Sequence, residues 1–294
     1  MRSSNPFMSS LAQSEGAAQG QRGQSAAYQQ GYQAAGDQWG QQGAAYQESP
    51  NYGAPTGAAD RPMTIDDVVT KTGITLAVIV VMAAVNFMIG QSGPSGESLA
   101  MGLTFVGAIG GLIAVLVSAF GKKYGSPVVT LVYAAFEGLF VGGFTYIFAG
   151  GNAEIAGANP GAMIFQAVLG TMGVFAGMLV VYKTGAIRVT PKFTKMLVGA
   201  LFGVLVLVLG NFILTLITGE QTMLRDGGPV AIIFSLVCIG LAALSFLVDF
   251  DQADKLIRAG APSRYAWGVA LGLAVTLVWL YTEILRLLSY LNRD

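Results

Sequence analysis

Histidine is absent from the 294 residues, cysteine occurs once, and charged side chains make up only 11%. Without imidazole there is no histidine metal ligand, general base or pH switch, which leaves proton chemistry near neutrality to carboxylates. The lone Cys238 excludes an internal disulfide and, lying in an apolar run, reads as a buried thiol. A water-soluble domain carries about 25% charged residues, so the deficit points to lipid as the main solvent. The 16 basic and 16 acidic residues cancel, leaving no overall field to draw nucleic acid. No signal peptide is expected after Met1, because the residues that follow it are polar. Soluble-enzyme signatures are missing too: no phosphate-cradling glycine loop followed by lysine, no metal-ligand cluster, and no nucleophile with a histidine base. Neither an enzyme nor a bound cofactor is expected.

What is present divides into two materials. Residues 1–59 are Gln, Gly, Ala, Ser and Tyr in loose repeats such as Tyr28-Gln29-Gln30-Gly31-Tyr32-Gln33. With almost no aliphatic side chains they bury too little surface to offset ordering entropy, so a disordered tail is expected. Residues 60–294 are expected to form an all-α membrane bundle. At 62–69, Thr64 followed by Asp67 resembles a capping box, and Met63, Ile65, Val68 and Val69 supply apolar surface. A short helix lying at the membrane surface is expected there. Seven apolar segments follow, at 72–90, 99–120, 127–149, 161–182, 196–217, 228–248 and 265–288. Each is near the roughly 20 residues that a helix needs to cross a bilayer core. They lack the polar face of soluble amphipathic helices and the two-residue alternation of barrel strands.

Loop charges orient the bundle. Arg61 and Lys71 precede the first segment; Lys122 and Lys123 follow the second; Lys183, Arg188, Lys192 and Lys195 follow the fourth; Lys255, Arg258 and Arg264 follow the sixth. The alternate loops carry only Arg225. This bias puts the N-terminus in the cytoplasm and the C-terminus outside a multi-pass plasma-membrane protein. Glycines recur four apart at Gly107/Gly111, Gly138/Gly142, Gly173/Gly177, Gly199/Gly203 and Gly268/Gly272, the pattern of helix faces that approach closely.

The residues with chemistry are acids inside apolar segments. A charge at the bilayer centre costs about 2.5 to 3.5 kcal/mol on insertion scales, so such residues serve either function or helix-to-helix bonding. Glu137 follows Pro127 by ten residues, about 15 Å of helix, near the midplane. Glu283 has Arg286 one turn away, a candidate local ion pair. Asp249, Asp251 and Asp254 stand where the sixth segment meets its loop; Asp251 and Asp254 read as solvated end charges, and Asp249 is placed to turn inward. Oxygen ligands without histidine suit calcium or a proton better than zinc or copper, though no metal is specified.

These residues resemble those of the Bax inhibitor-1 family of membrane proteins, including its YccA-like and YetJ-like bacterial members. The resemblance rests on the seven-segment layout and three stretches: Glu-Gly-Leu-Phe-Val-Gly from Glu137, Asp-Phe-Asp-Gln from Asp249, and Leu-Tyr-Thr-Glu-Ile-Leu from Leu280. It covers residues 61–292 and leaves the tail outside; 62–73 is similar to the actinobacterial branch. It implies a pH-sensitive calcium leak with a central seventh helix, in which two close carboxylates share a proton when closed and separate when it is lost. Asp249 matches the first acid and Glu283 the second, with Asp251 as the alternative first acid; Glu137 with Glu283 is an alternative pair. The alternative function implied is a regulator of a membrane protease or stress-response partner, without transport. Two departures matter: Glu283 stands where the resemblance expects aspartate, and the stretch between the two acids is long. If the seventh helix begins at Tyr265, Glu283 lies about 27 Å along it, beyond reach of an acid at the loop end of the sixth.

Overall fold

The computed structural model describes residues 61–121, 123–150, 159–219, 222–224 and 226–292; the expected disordered tail, 1–59, lies outside them. Local sequence rules explain where the helices begin. Five of the seven start on proline: α2 (Pro94–Phe120), α3 (Pro127–Thr145), α4 (Pro160–Thr184), α5 (Pro191–Thr218) and α6 (Pro229–Arg258). Proline suits the first turn, where the amide has no intrahelical acceptor and the fixed φ is already helical. Ser126, Asn159 and Thr190 cap α3, α4 and α5 through side-chain oxygens. Gly185 and Gly219 end α4 and α5 in the left-handed region, at φ 67° and 72°.

α1 (Ile65–Gly90) begins at the expected capping box, where Thr64 and Asp67 satisfy each other's backbone amides. The separate surface helix expected at 62–69 is not formed. The same cap opens one unbroken 26-residue helix, about 39 Å long, so its first turns extend past a hydrocarbon core of about 30 Å. Arg61 grips Asp67 with two bonds, of 2.8 and 2.6 Å. Backbone bonds from Met63 to Ala261 and from Ser263 to Arg61, both 2.8 Å, strap this segment to the loop between α6 and α7 (Ala266–Leu291). Lys71 adds a 2.6 Å bond to the Ser263 carbonyl.

All seven helices are long and apolar enough to span a membrane. The observed spans contain nearly all of the expected segments, and α6 continues ten residues past the expected end, to Arg258. α3 passes into a π-helical turn, Tyr146–Gly150, whose Tyr146 ring lies where a side chain on Gly90 would stand. α7 is central: it packs on α1, α3, α4 and α6, and 17 of its 26 residues are buried. α5 is peripheral, with only Leu197 and Asn211 buried.

The glycine faces divide. A Cβ on Gly107 would sit 2.6 Å from the Phe136 carbonyl oxygen, and one on Gly138 would sit 2.6 Å from that of Ile79, so α3 lies close against both α2 and α1. Gly268 accommodates the Tyr124 ring. Gly173, Gly177, Gly199, Gly203 and Gly272 meet nothing within 4 Å, so four-residue spacing there does not mark a contact inside this chain. Asn86, fully buried on α1, donates to the Leu139 carbonyl at 2.7 Å and to Thr104 Oγ1 at 3.1 Å, joining α1, α2 and α3.

Candidate functional site: acids around the central helix

α6 and α7 form an antiparallel hairpin that turns near Pro262, so residues equally distant from that point face one another. Asp249 stands 13 residues before it and Thr276 14 after. The Thr276 hydroxyl donates to Asp249 Oδ2 at 2.7 Å and also approaches the Gly272 carbonyl at 3.3 Å. Asp249 therefore turns inward onto α7. It lies nine residues, about 13 Å, inside the end of α6, deeper than a position at the loop end would place it. Thr276 is ten residues, about 15 Å, into α7. Phe246 and Leu280, both fully buried, lie on the far side of this pair from the loop, in an apolar cluster that also reaches Phe250 and Leu273 on the loop side. Toward the loop, burial pushes the Tyr124 phenol up, and the Asp249 charge adds to that effect.

Glu283 is placed differently. It lies seven residues beyond Thr276, about 10 Å further along α7, and opposite Ala242 and Cys238 rather than Asp249. Its partner is Arg286, with which it forms a buried ion pair one turn apart on the same helix. Glu283 Oε2 and Arg286 Nε have no partner. The structure does not bring Asp249 and Glu283 together.

Glu137 shares a level with Asp249 but faces another helix. α3 runs parallel to α7, with Thr130 bonded to the Trp267 carbonyl at 3.1 Å and Thr145 to Tyr281 at 3.0 Å. That register sets Glu137 level with Ala274. Its carboxylate points at α2, where a Cβ on Gly111 would be 2.8 Å from Glu137 Oε2. Glu137 is also about 13 Å short of Glu283 along the shared axis, so those two are not paired either. Asp251 pairs with Lys255 at 2.6 Å, and Asp254 with Arg258 at 2.9 Å, each at the four-residue spacing of a surface pair near the helix end. Among the described residues no three acidic, cysteine or histidine side chains gather as metal ligands would.

The family model for Bax inhibitor 1 like proteins matches residues 5–293. The chain belongs to the Bax inhibitor 1 like family. The match reaches back to residue 5, so the family likeness includes the N-terminal region that the resemblance in 61–292 left outside. Curated proteins give no match to the chain. Membership and the seven apolar helices make it a multi-pass membrane protein.

Sequence reasoning missed Thr276. It is a hydroxyl in an apolar run, and the available signal was the hairpin count that pairs it with Asp249. A hydroxyl donor holds a partly buried carboxylate without a second charge, and a proton added to or taken from Asp249 changes the strength of this tie between α6 and α7.

Proposed function

We propose that the protein is a cation leak of the plasma membrane, conducting calcium and sensitive to pH, whose gate is the contact between α6 and α7 at Asp249. The observation that carries this reading is a carboxylate about 13 Å inside the end of a spanning helix, tied to the central helix by a hydroxyl. Protonated, Asp249 is neutral and suits the packed, water-poor interface. Ionised, it is costly there and better accommodated when α6 and α7 part and water reaches it. Raising the pH therefore favours the open form. The same hydrated carboxylate is a hard oxygen ligand for a passing calcium ion. Glu137, level with Asp249, points at α2 and stands outside this contact. The Glu283–Arg286 pair lies within α7 and carries no net charge, so it leaves the gate to Asp249. The basic loops set the N-terminus in the cytoplasm.

A second reading is a regulator without transport of its own. The strap favours it, because residues 61–63 tie the preceding tail directly to the α6–α7 loop, so a partner that holds the tail pulls on the same hairpin. Purified protein in calcium-loaded liposomes tests the leak. Efflux rises with external pH, and Asp249→Asn, a permanent mimic of the protonated acid, stays low at every pH. Removing residues 1–59 leaves efflux in place. Efflux absent from the full chain, or identical in the Asn variant, refutes the leak.

A further inference from the structure

A groove of about 340 Å³ lies between α1 and α4, floored by α3 and α7. It runs from Leu76 to Phe87 on α1, eleven residues or about 16 Å, close to half of a hydrocarbon core of about 30 Å. Its far end lies near Gly90 and Pro160, the ends of α1 and α4 away from the basic loops, so it occupies the depth of a single leaflet. Three hydroxyls line it, and each is already engaged. Thr145 and Tyr281 bond to each other at 3.0 Å, and Thr171 donates to the Ala167 carbonyl at 2.7 Å. None is left to hold water or a polar ligand, so the groove is dry. Because both flanking helices span the membrane, its open side faces lipid hydrocarbon.

We propose that this groove binds one acyl chain of a phospholipid from the leaflet away from the basic loops. The length matches one leaflet, the lining is apolar, and the surrounding solvent supplies the occupant. The chain lies against Leu277 and Val278, next to Thr276 on the same helix, although its binding does not depend on the leak reading.

The test uses full-length protein in phosphatidylcholine vesicles doped with a phosphatidylcholine carrying a diazirine midway along one chain. After photolysis, adducts are mapped by peptide mass. Adducts on 76–87 and 164–172 exceed those on the lipid-facing α5 several-fold. Ala84→Trp and, independently, Val80→Trp fill the groove and remove that excess, while Leu207→Trp on exposed α5 leaves it unchanged. Adducts spread evenly over the lipid-facing helices, or an excess that survives both groove-filling variants, overturn the proposal. So does a stable dimer that both groove-filling variants dissociate, which gives the groove to a second copy.

Discussion

Replacing Thr276 with valine keeps the shape of the side chain and removes the hydroxyl that holds Asp249. A hydrogen bond to a charged group contributes about 1.5–3 kcal/mol, and one between neutral groups about 0.5–1.5 kcal/mol. In the proposed mechanism the closed form alone makes this bond, so its loss shifts the balance toward the open form. At high pH, with Asp249 ionised, the open-to-closed ratio rises roughly 10- to 150-fold, since about 1.4 kcal/mol is tenfold. At low pH, with the acid neutral, the rise is roughly 2- to 10-fold. Calcium efflux from liposomes, followed with an external indicator at several pH values, reads both limbs. Efflux grows everywhere and grows most at high pH. An unchanged rate, or a Thr276→Val protein that leaks less than the parent, refutes the latch. Valine keeps the branched shape of threonine, so the change is the loss of the hydroxyl and of its bonds to Asp249 and to the Gly272 carbonyl.

Two further outcomes follow from the same geometry. Glu283→Gln leaves Arg286 buried and unpaired, which costs about 3–5 kcal/mol and lowers thermal stability in detergent, whereas replacing both residues with leucine returns stability close to that of the parent. The pH dependence of efflux survives in the double variant; its disappearance would restore Glu283 as half of the gate. Gly138→Val forces α1 from α3 and destabilises by about 1–3 kcal/mol, while Gly173→Ala, in open space, stabilises by about 0.5–1 kcal/mol, both read by thermal unfolding.

Length and polarity alone carried most of the fold. Seven spanning helices agree with the segments read from hydropathy, because backbone groups in lipid leave few alternatives to long helices, whereas the central place of the seventh came from the family resemblance alone. The ends were harder. Charged residues in the last turns of α6 hid its continuation to Arg258, since Asp251–Lys255 and Asp254–Arg258 satisfy each other on the helix itself. Thr64 and Asp67 marked a true start, but nothing near them marked a stop, so one helix stands where two were expected. Glycine spacing was ambiguous for a related reason. It describes a smooth face, and Gly138 and Gly173 carry the same signal although only the first meets another helix in this chain.

The site was legible as a set of residues and not as a set of contacts. Glu137, Asp249 and Glu283 stood out through the cost of charge in lipid, and all three are on spanning helices. Their partners depended on register, which counting outward from Pro262 supplies for the α6–α7 hairpin and which hydropathy does not. That count sets Asp249 against Thr276 and Glu283 against Ala242. Arg286, one turn from Glu283, then takes the second acid.

The central claim is that α6 moves relative to the rest of the bundle when Asp249 loses its proton. Spin labels at Gln252, exposed on α6, and Val128, exposed on α3, with Cys238 replaced by serine, report that movement as a distance distribution in pulsed EPR. The account predicts one short distance at low pH, a longer population that grows as the pH rises, and a short distance at every pH in Asp249→Asn. A distribution that is the same at low and high pH in the protein with Asp249 intact would contradict it.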